Sequence, residues 1–369
     1  MKWLQNGNLA KLVAFFVIAV VITCTVSFAA NGWQSFINEP SSDKITTDKI
    51  TVNNKVDENT ENKPVDDVPV IQPTDKFYHP LTGLETSLET SQKRPVCVSF
   101  ESANPLYGIS SSYLTVEFPT EYGTTRFLCF TDEIKSLGKI GALAPSRGYI
   151  SNLATYFGGI LLSYGMDDTF EYTYKNPSNV LDFKATSGYC YTEYNSLVYT
   201  NGDLVNAFMN NSTVNQTATG SINIPYNFKS EYSAPDGKDA ATVSITFSDV
   251  SSTQLTYSDA DKVYTMTKSA SLKNDLLNDK SISYTNVFVL FANTTTYETE
   301  SDTQLIVDTY SSGTGLYASM GKYVEITWHK DASGNLVFHD INGIKLDVNR
   351  GTSYIAYAKA SEKSSVKVS

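Results

Sequence analysis

The sequence predicts an α+β protein: a mixed-sheet N-terminal domain followed by a β-rich, antiparallel C-terminal domain. Three observations lead there. The chain has 369 residues, 41% of them apolar and 12% aromatic, enough for two ordinary hydrophobic cores once non-globular segments are set aside. Its 24 Tyr and 18 Phe, with abundant Thr, Val and Ile, favour strands over helices. Short apolar runs bounded by turn residues recur along most of it, broken by helical spacing at two main places.

The first thirty residues are of another kind. Lys2 and Lys11 precede an uncharged apolar run, Leu12 to Ala30, which as a helix would rise about 28 Å, near the thickness of a hydrocarbon core. Positive charge before it predicts the N-terminus inside the cell and the bulk of the chain outside. Three fates stay open: a retained signal anchor, cleavage after Ala29 or Ala30, or lipidation of Cys24, which follows Val21-Ile22-Thr23 as in a loose lipobox. A buried core helix is the alternative without a membrane. Residues 31–76 are polar and Pro-dotted, with a local duplication of Asp43-Lys44-Ile45-Thr46 at Asp48-Lys49-Ile50-Thr51, and read as a disordered linker.

In the N-terminal domain, residues 77–215, Pro95–Phe100, Tyr113–Phe118 and Thr124–Phe130 read as strands and Lys139–Leu143 as a further one. Ser146 is placed to cap a helix reaching Phe157, since Tyr149, Ile150, Leu153, Ala154 and Phe157 share one helical face. Ile160–Tyr164 follows as a buried strand and Gly202–Met209 as a short helix. The C-terminal domain, residues 236–360, begins after a stretch rich in Asn, Thr, Ser and Gly. Its strands are Ala241–Phe247, Gln254–Tyr257, Val263–Lys268, Thr285–Ala292, Gln304–Asp308, Lys322–His329, Leu336–His339 and Tyr354–Ala358, with one helical turn within Ala270–Asp279.

Charge and motif content narrow the chemistry. With a formal net charge of −11 and no Lys/Arg cluster, the chain offers nucleic acid no phosphate-neutralising face. Only four of its 28 basic residues are Arg: Arg94, Arg126, Arg147 and Arg350. Either genome bias explains this, or Arg is kept where a planar, bidentate donor is required. Beyond Cys24 there are Cys97, Cys129 and Cys190, with no CxxC spacing, which disfavours zinc and dithiol redox chemistry. Cys97 and Cys129 sit in strand-like runs and read as buried thiols, a disulfide between them being the alternative. His79, His329 and His339 fit neither a nucleophilic triad nor a metal site, and no phosphate-binding or dinucleotide-binding fingerprint occurs; Gly313-Thr314-Gly315 reads as a turn. No cofactor and no metal are expected.

The strongest constellation is Glu117, Arg126, Arg147 and the Asp167/Asp168 pair. A hairpin through Pro119–Gly123 could bring Glu117 and Arg126 together. Arg147, starting a helix, could join its guanidinium to free backbone N–H groups around a phosphate or carboxylate. The competing reading is an ion-pair network that fixes the hairpin against the helix. Aromatic runs such as Phe170–Tyr174 and Tyr189–Tyr199 fit either a glycan-stacking groove or ordinary half-buried strands.

Several pieces together carry a family resemblance. His79-Pro80-Leu81-Thr82-Gly83-Leu84, Arg94-Pro95, Glu117, Gly123-Thr124-Thr125-Arg126-Phe127, Lys139-Ile140-Gly141 and Ser146-Arg147-Gly148-Tyr149 occur in order in the first half. Gly313-Thr314-Gly315, Thr327-Trp328-His329-Lys330, Phe338-His339-Asp340 and Asn342-Gly343 follow in the second. From about Pro80 to Ala358 the chain resembles the YerB-like family of Gram-positive candidate lipoproteins, a two-part domain of unknown function. It departs from the family pattern at Ser163–Asp168, where relatives carry His and Gly. It departs also at Ala144 or Pro145, in place of an Arg, and at Tyr354, in place of a Trp. The resemblance implies an envelope location and no established reaction. The expected function is a non-catalytic, membrane-tethered envelope module binding a cell-wall component (peptidoglycan or teichoic acid) or an envelope protein. The alternative is an envelope hydrolase or transferase working on an anionic substrate through Glu117, Arg126 and Arg147, with Asp168 as a second acid/base candidate; a ligand-free spacer is a third reading.

Overall fold

Val96–Glu101 and Asn286–Ala292 are apolar at most positions and buried along nearly their whole length, the mark of strands covered on both faces. In the computed structural model both lie inside one large sheet. The structure describes residues 76–166, 179–219, 222–269, 272–298, 303–309 and 311–369. The apolar run Leu12–Ala30, Cys24, the linker, Asp167, Asp168 and the Phe170–Tyr174 run fall outside the described residues. No helix among the described residues is long and apolar enough to cross a membrane.

The principal strands are β1 (Val96–Glu101), β2 (Leu114–Pro119), β3 (Thr125–Thr131), β4 (Ile160–Ser163), β5 (Val180–Asp182), β6 (Lys238–Asp239), β7 (Thr242–Ser248) and β8 (Ser251–Ser258). They continue as β9 (Val263–Lys268), β10 (Ser283–Tyr284), β11 (Asn286–Ala292), β12 (Ser312–Ser319), β13 (Lys322–Lys330), β14 (Leu336–Asp340), β15 (Ser353–Lys359) and β16 (Val366–Val368). Eleven of these form the central sheet, in the order β6-β13-β12-β11-β15-β2-β3-β1-β4-β5, with β14 also paired to β13. A second sheet, β10-β9-β8-β7-β16, covers one face of it. The helix α1 (Gly148–Tyr156) covers part of the other.

The central sheet is mixed, as expected, but the molecule is more strand-dominated than an α+β reading implies. Among the described residues α1 and α2 (Gly202–Asn211) are the only helices that reach eight residues. The second half is not purely antiparallel either. Strand β15, near the C-terminus, inserts between β11 and β2 and runs parallel to both, in register Phe288↔Ile355 and Val116↔Ile355. Strands from both halves of the sequence thus share one continuous ladder, and the pairing is non-local in a way that periodicity does not encode.

Other differences have local causes. Ser146 does not cap α1; its backbone is held by Gly165 and bridges Met166, so the helix starts one residue on, with Arg147 in the N-cap position. The segment around Leu272–Asp279 forms a turn and no helix. Gly313-Thr314-Gly315 lies inside β12. A Cβ on Gly313 would sit 2.4 Å from the Phe291 carbonyl and 2.6 Å from the Trp328 indole nitrogen, so glycine here permits close strand packing. By contrast α2 follows the sequence reading, with the Asn201 side chain capping the Leu204 N–H at 2.9 Å.

Two apolar clusters flank the sheet. Val98, Phe100, Phe127 and Val289 meet Ile245, Leu255 and Met266 of the second sheet. Val116, Phe118, Leu128 and Phe130 meet Ile150, Leu153 and Phe157 on or beside α1. Cys97 and Cys129 are free, buried thiols on opposite faces, since Cys97 is opposite Phe130 and Val98 is opposite Cys129. No disulfide can join them across the sheet.

Burial pushes the Cys129 thiol and the Tyr226 phenol up to about 12, and drives Tyr113, Tyr284 and Tyr354 well above the ordinary phenol range. The native state therefore holds these protons more tightly than the unfolded chain does. Stability is intact below the unfolded values and declines as pH rises from about 9 towards 12. In an alkaline titration followed at 295 nm, these tyrosines are expected to ionise together with the loss of far-UV ellipticity. Smooth independent ionisation in a folded protein would refute it.

Candidate functional site

The hairpin of β2 and β3 carries three of the singled-out residues or their neighbours. Its tip, Thr120–Thr124, is closed by Thr120 N–H donating to the Thr124 carbonyl at 2.9 Å and by contact between the two threonine hydroxyls at 2.8 Å. Within the tip Tyr122 and Gly123 both take positive φ, and the Ser248 hydroxyl holds the Gly123 carbonyl at 2.6 Å. This turn sets the register: Glu117 is opposite Phe127, and Phe118 is opposite Arg126. Because side chains alternate between faces, Glu117 points to the second sheet and Arg126 to the helix side. Glu117 therefore lies on the opposite face of the hairpin from Arg126, and the hydrolase or transferase arrangement that joins Glu117 to Arg126 and Arg147 around one substrate does not form.

On the second-sheet side Glu117 is fully buried. Its Oε1 accepts from Thr125 Oγ1 at 2.5 Å and Lys268 Nζ at 2.6 Å; its Oε2 accepts from Thr253 Oγ1 at 2.7 Å and from the Tyr354 hydroxyl. Lys268, itself 2% exposed, also donates to Ser251 Oγ at 2.8 Å. A carboxylate has about four acceptor positions, so this one is saturated and has no lone pair left for a substrate. An unpaired charge at this depth would cost several kcal/mol, and the four donors are what make it tolerable. The cluster stitches β2 and β3 to β8, β9 and β15.

On the helix side two arginines converge. Arg126 donates through Nε to Glu101 Oε2 at 3.3 Å, and its Nη2 lies 4.0 Å from Glu121 Oε1. Arg147 Nη2 donates to the same Glu121 oxygen, while Glu121 Oε2 accepts from the Leu305 N–H at 3.4 Å. Both arginines are more than nine-tenths buried. Arg126 Nη1 has no hydrogen-bond partner among the described residues, and neither do the enclosed Ser151 Oγ, Gln304 Oε1 and Tyr357 hydroxyl. Those groups sit on elements packed around this face: Ser151 one turn along α1 from Arg147, Gln304 beside Leu305, and Tyr357 stacked on Phe118 at 5.2 Å. Glu121 joins the arginines here although the sequence singled out Glu117; its place in the connecting turn was the available signal.

The other singled-out arginines and histidines make packing and hydrogen-bond contacts. Arg94 donates to the carbonyls of Gly158, Gly159 and Asn215, and Arg350 lies 4.8 Å over the Tyr78 ring. Arg94 and Arg350 thus use the forked or planar guanidinium. His79 donates from Nε2 to Asp132 at 3.0 Å while its Nδ1 accepts from the Leu81 and Thr82 N–H groups, which fixes the tautomer. His329 and His339 stack at 4.9 Å, and among the described residues no three His, Cys, Asp or Glu side chains are grouped to hold a metal. Within Tyr189–Tyr199, Tyr189 stacks on Phe208 and Tyr199 meets Tyr107 edge-on, packing that describes half-buried elements better than a groove.

Comparison with known proteins adds a family. A family model described as "Protein of unknown function (DUF3048) N-terminal domain" matches residues 81–220, and its C-terminal counterpart matches residues 243–355. The chain is 24% identical over 279 residues to a Bacillus subtilis (strain 168) protein named "Putative lipoprotein YerB", an alignment covering 71% of this chain and 80% of that one. Its fold is similar to the crystal structure of the YerB protein from Bacillus subtilis, with a TM-score of 0.69 and 19% identity over 80% of this chain and 100% of the other.

The buried carboxylate makes a quantitative prediction. Lys268→Met strands the Glu117 charge and is expected to destabilise the protein by about 3–5 kcal/mol in urea unfolding. Adding Glu117→Gln should restore part of that loss. Two strictly additive losses would contradict a coupled ion pair.

Proposed function

We propose, from the premise that the chain belongs to this two-part family of unknown function, that it is a non-catalytic envelope protein binding an anionic cell-wall component through Arg126 and Arg147. The reading places the described region outside the cell, attached to the membrane by the N-terminal segment. The apolar run Leu12–Ala30 after Lys2 and Lys11, and the lipoprotein in the name of its Bacillus subtilis relative, support that location.

One observation carries the binding proposal: two buried guanidinium groups converge on a single carboxylate oxygen, and one of them keeps an unsatisfied N–H group. Planar guanidinium pairs of this kind suit phosphate and carboxylate. Glu121 now holds the position that such an anion would take. It sits in a short turn with Tyr122 in the left-handed region, not within a strand, so exchanging it for a ligand anion leaves the ladders intact. Teichoic acid phosphates and peptidoglycan carboxylates are the wall chemistries with this charge. The saturation of Glu117 argues against hydrolysis or transfer through that residue.

Arg147→Lys, which keeps the charge and loses the fork, is expected to weaken binding to purified teichoic acid or peptidoglycan by about tenfold with little change in melting temperature. Glu121→Gln should strengthen it. A fall in melting temperature in both variants, without any change in polymer binding, would assign the cluster to structure alone.

A further inference from the structure

The other side of the hairpin carries a separate opening. Above the Glu117–Lys268 cluster lies a cleft of about 410 Å³, a size suited to a small ligand. Its lining is mixed in chemistry. Pro105, Leu272 and Val250, the last 70% exposed, contribute apolar surface. Asn104, Ser251, Ser269 and the buried Lys268 contribute polar groups.

The hydrogen-bonding state of the polar side defines what can bind. The half-buried Asn104 carboxamide has no side-chain partner among the described residues, leaving a donor and an acceptor open. Ser251 Oγ accepts from Lys268, so its own proton is available to a ligand acceptor. The Lys268 charge is already balanced by Glu117, and no net charge awaits a ligand at the floor. Ser269 sits at φ 46, a left-handed backbone uncommon for a side-chain-bearing residue, and its hydroxyl donates to the Val250 carbonyl at 3.4 Å, which leaves its oxygen to accept from a ligand.

We infer that this cleft binds an uncharged N-acetylated hexosamine unit. A pyranose ring offers an apolar C–H face to Pro105 and Val250 and a rim of hydroxyls to the serines. An acetamido group can both donate to and accept from the Asn104 carboxamide. The inference does not rest on the anion site, which lies on the opposite face of the hairpin.

The test titrates the N-acetylglucosamine trisaccharide into the full chain by calorimetry, with saturation-transfer NMR as a second readout. Binding is expected, weakened about fivefold or more by Asn104→Ala, in keeping with the loss of one or two net hydrogen bonds. Asn104→Trp, which fills the cleft from its wall, should abolish it, and a glucose trisaccharide should bind at least about fivefold more weakly for want of the acetamido group. Arg147→Lys should leave it unchanged, and circular dichroism checks that each variant is folded. Absence of trisaccharide binding to the parent chain, or undiminished binding to Asn104→Trp, would overturn the proposal. Equal loss in Arg147→Lys would move the sugar to the arginine site and overturn it as well.

Discussion

A carboxylate with no access to water sits where three parts of this chain meet. Glu117 comes from the first hairpin, Lys268, Thr253 and Ser251 from the second sheet, and Tyr354 from the strand that the C-terminal region inserts into the central sheet. Apolar packing is non-directional and would accept several relative settings of these parts. A buried ion pair with every acceptor filled accepts far fewer, because each displacement exposes a charge to a medium that cannot solvate it. The insertion of β15 between β11 and β2 follows the same logic: both its edges are paired, and Tyr354 delivers a proton donor to Glu117 from that position.

The alternation of side chains along β2 and β3 then gives the hairpin two chemically different faces. One carries the saturated Glu117 cluster beneath a neutral, hydroxyl-lined cleft. The other carries Arg126, Arg147 and Glu121 against α1. The hairpin tip, tied to Ser248 by its Gly123 carbonyl, contributes Glu121 to one side and Thr124 to the other. A polymer with charged groups and neutral sugars would find complementary chemistry on both sides of one structural unit, which is the economy of the proposed function.

Much of the fold was legible because its core strands are short apolar runs between turn residues. Val96–Glu101, Thr125–Thr131 and Asn286–Ala292 lie within a residue or two of where the pattern puts them. Strand β12 was not legible, since its two glycines imitate a turn, and only the nearness of Phe291 and Trp328 to Gly313 and of the Val289 carbonyl to Gly315 explains them. The parallel insertion of β15 depends on pairing with β2, from the other half of the sequence, which no local pattern carries. At the site, Glu117, Arg126 and Arg147 were recognisable as unusual residues in apolar surroundings. Their grouping failed on register: Glu117 faces Phe127, and a shift of one residue would have put it opposite Arg126. Lys268 left a readable trace, being in phase with the buried Tyr264 and Met266 along β9, but its partner lies in another sheet.

If the Glu117 cluster couples the two halves, they open together. Native-state hydrogen exchange on the full chain, comparing amides of β2 with those of β11 and β13, measures this directly. One common opening free energy is expected for all three strands, lowered by the same amount in each when Glu117 is replaced by Gln. Retained protection of β11 and β13 while β2 opens alone would contradict it.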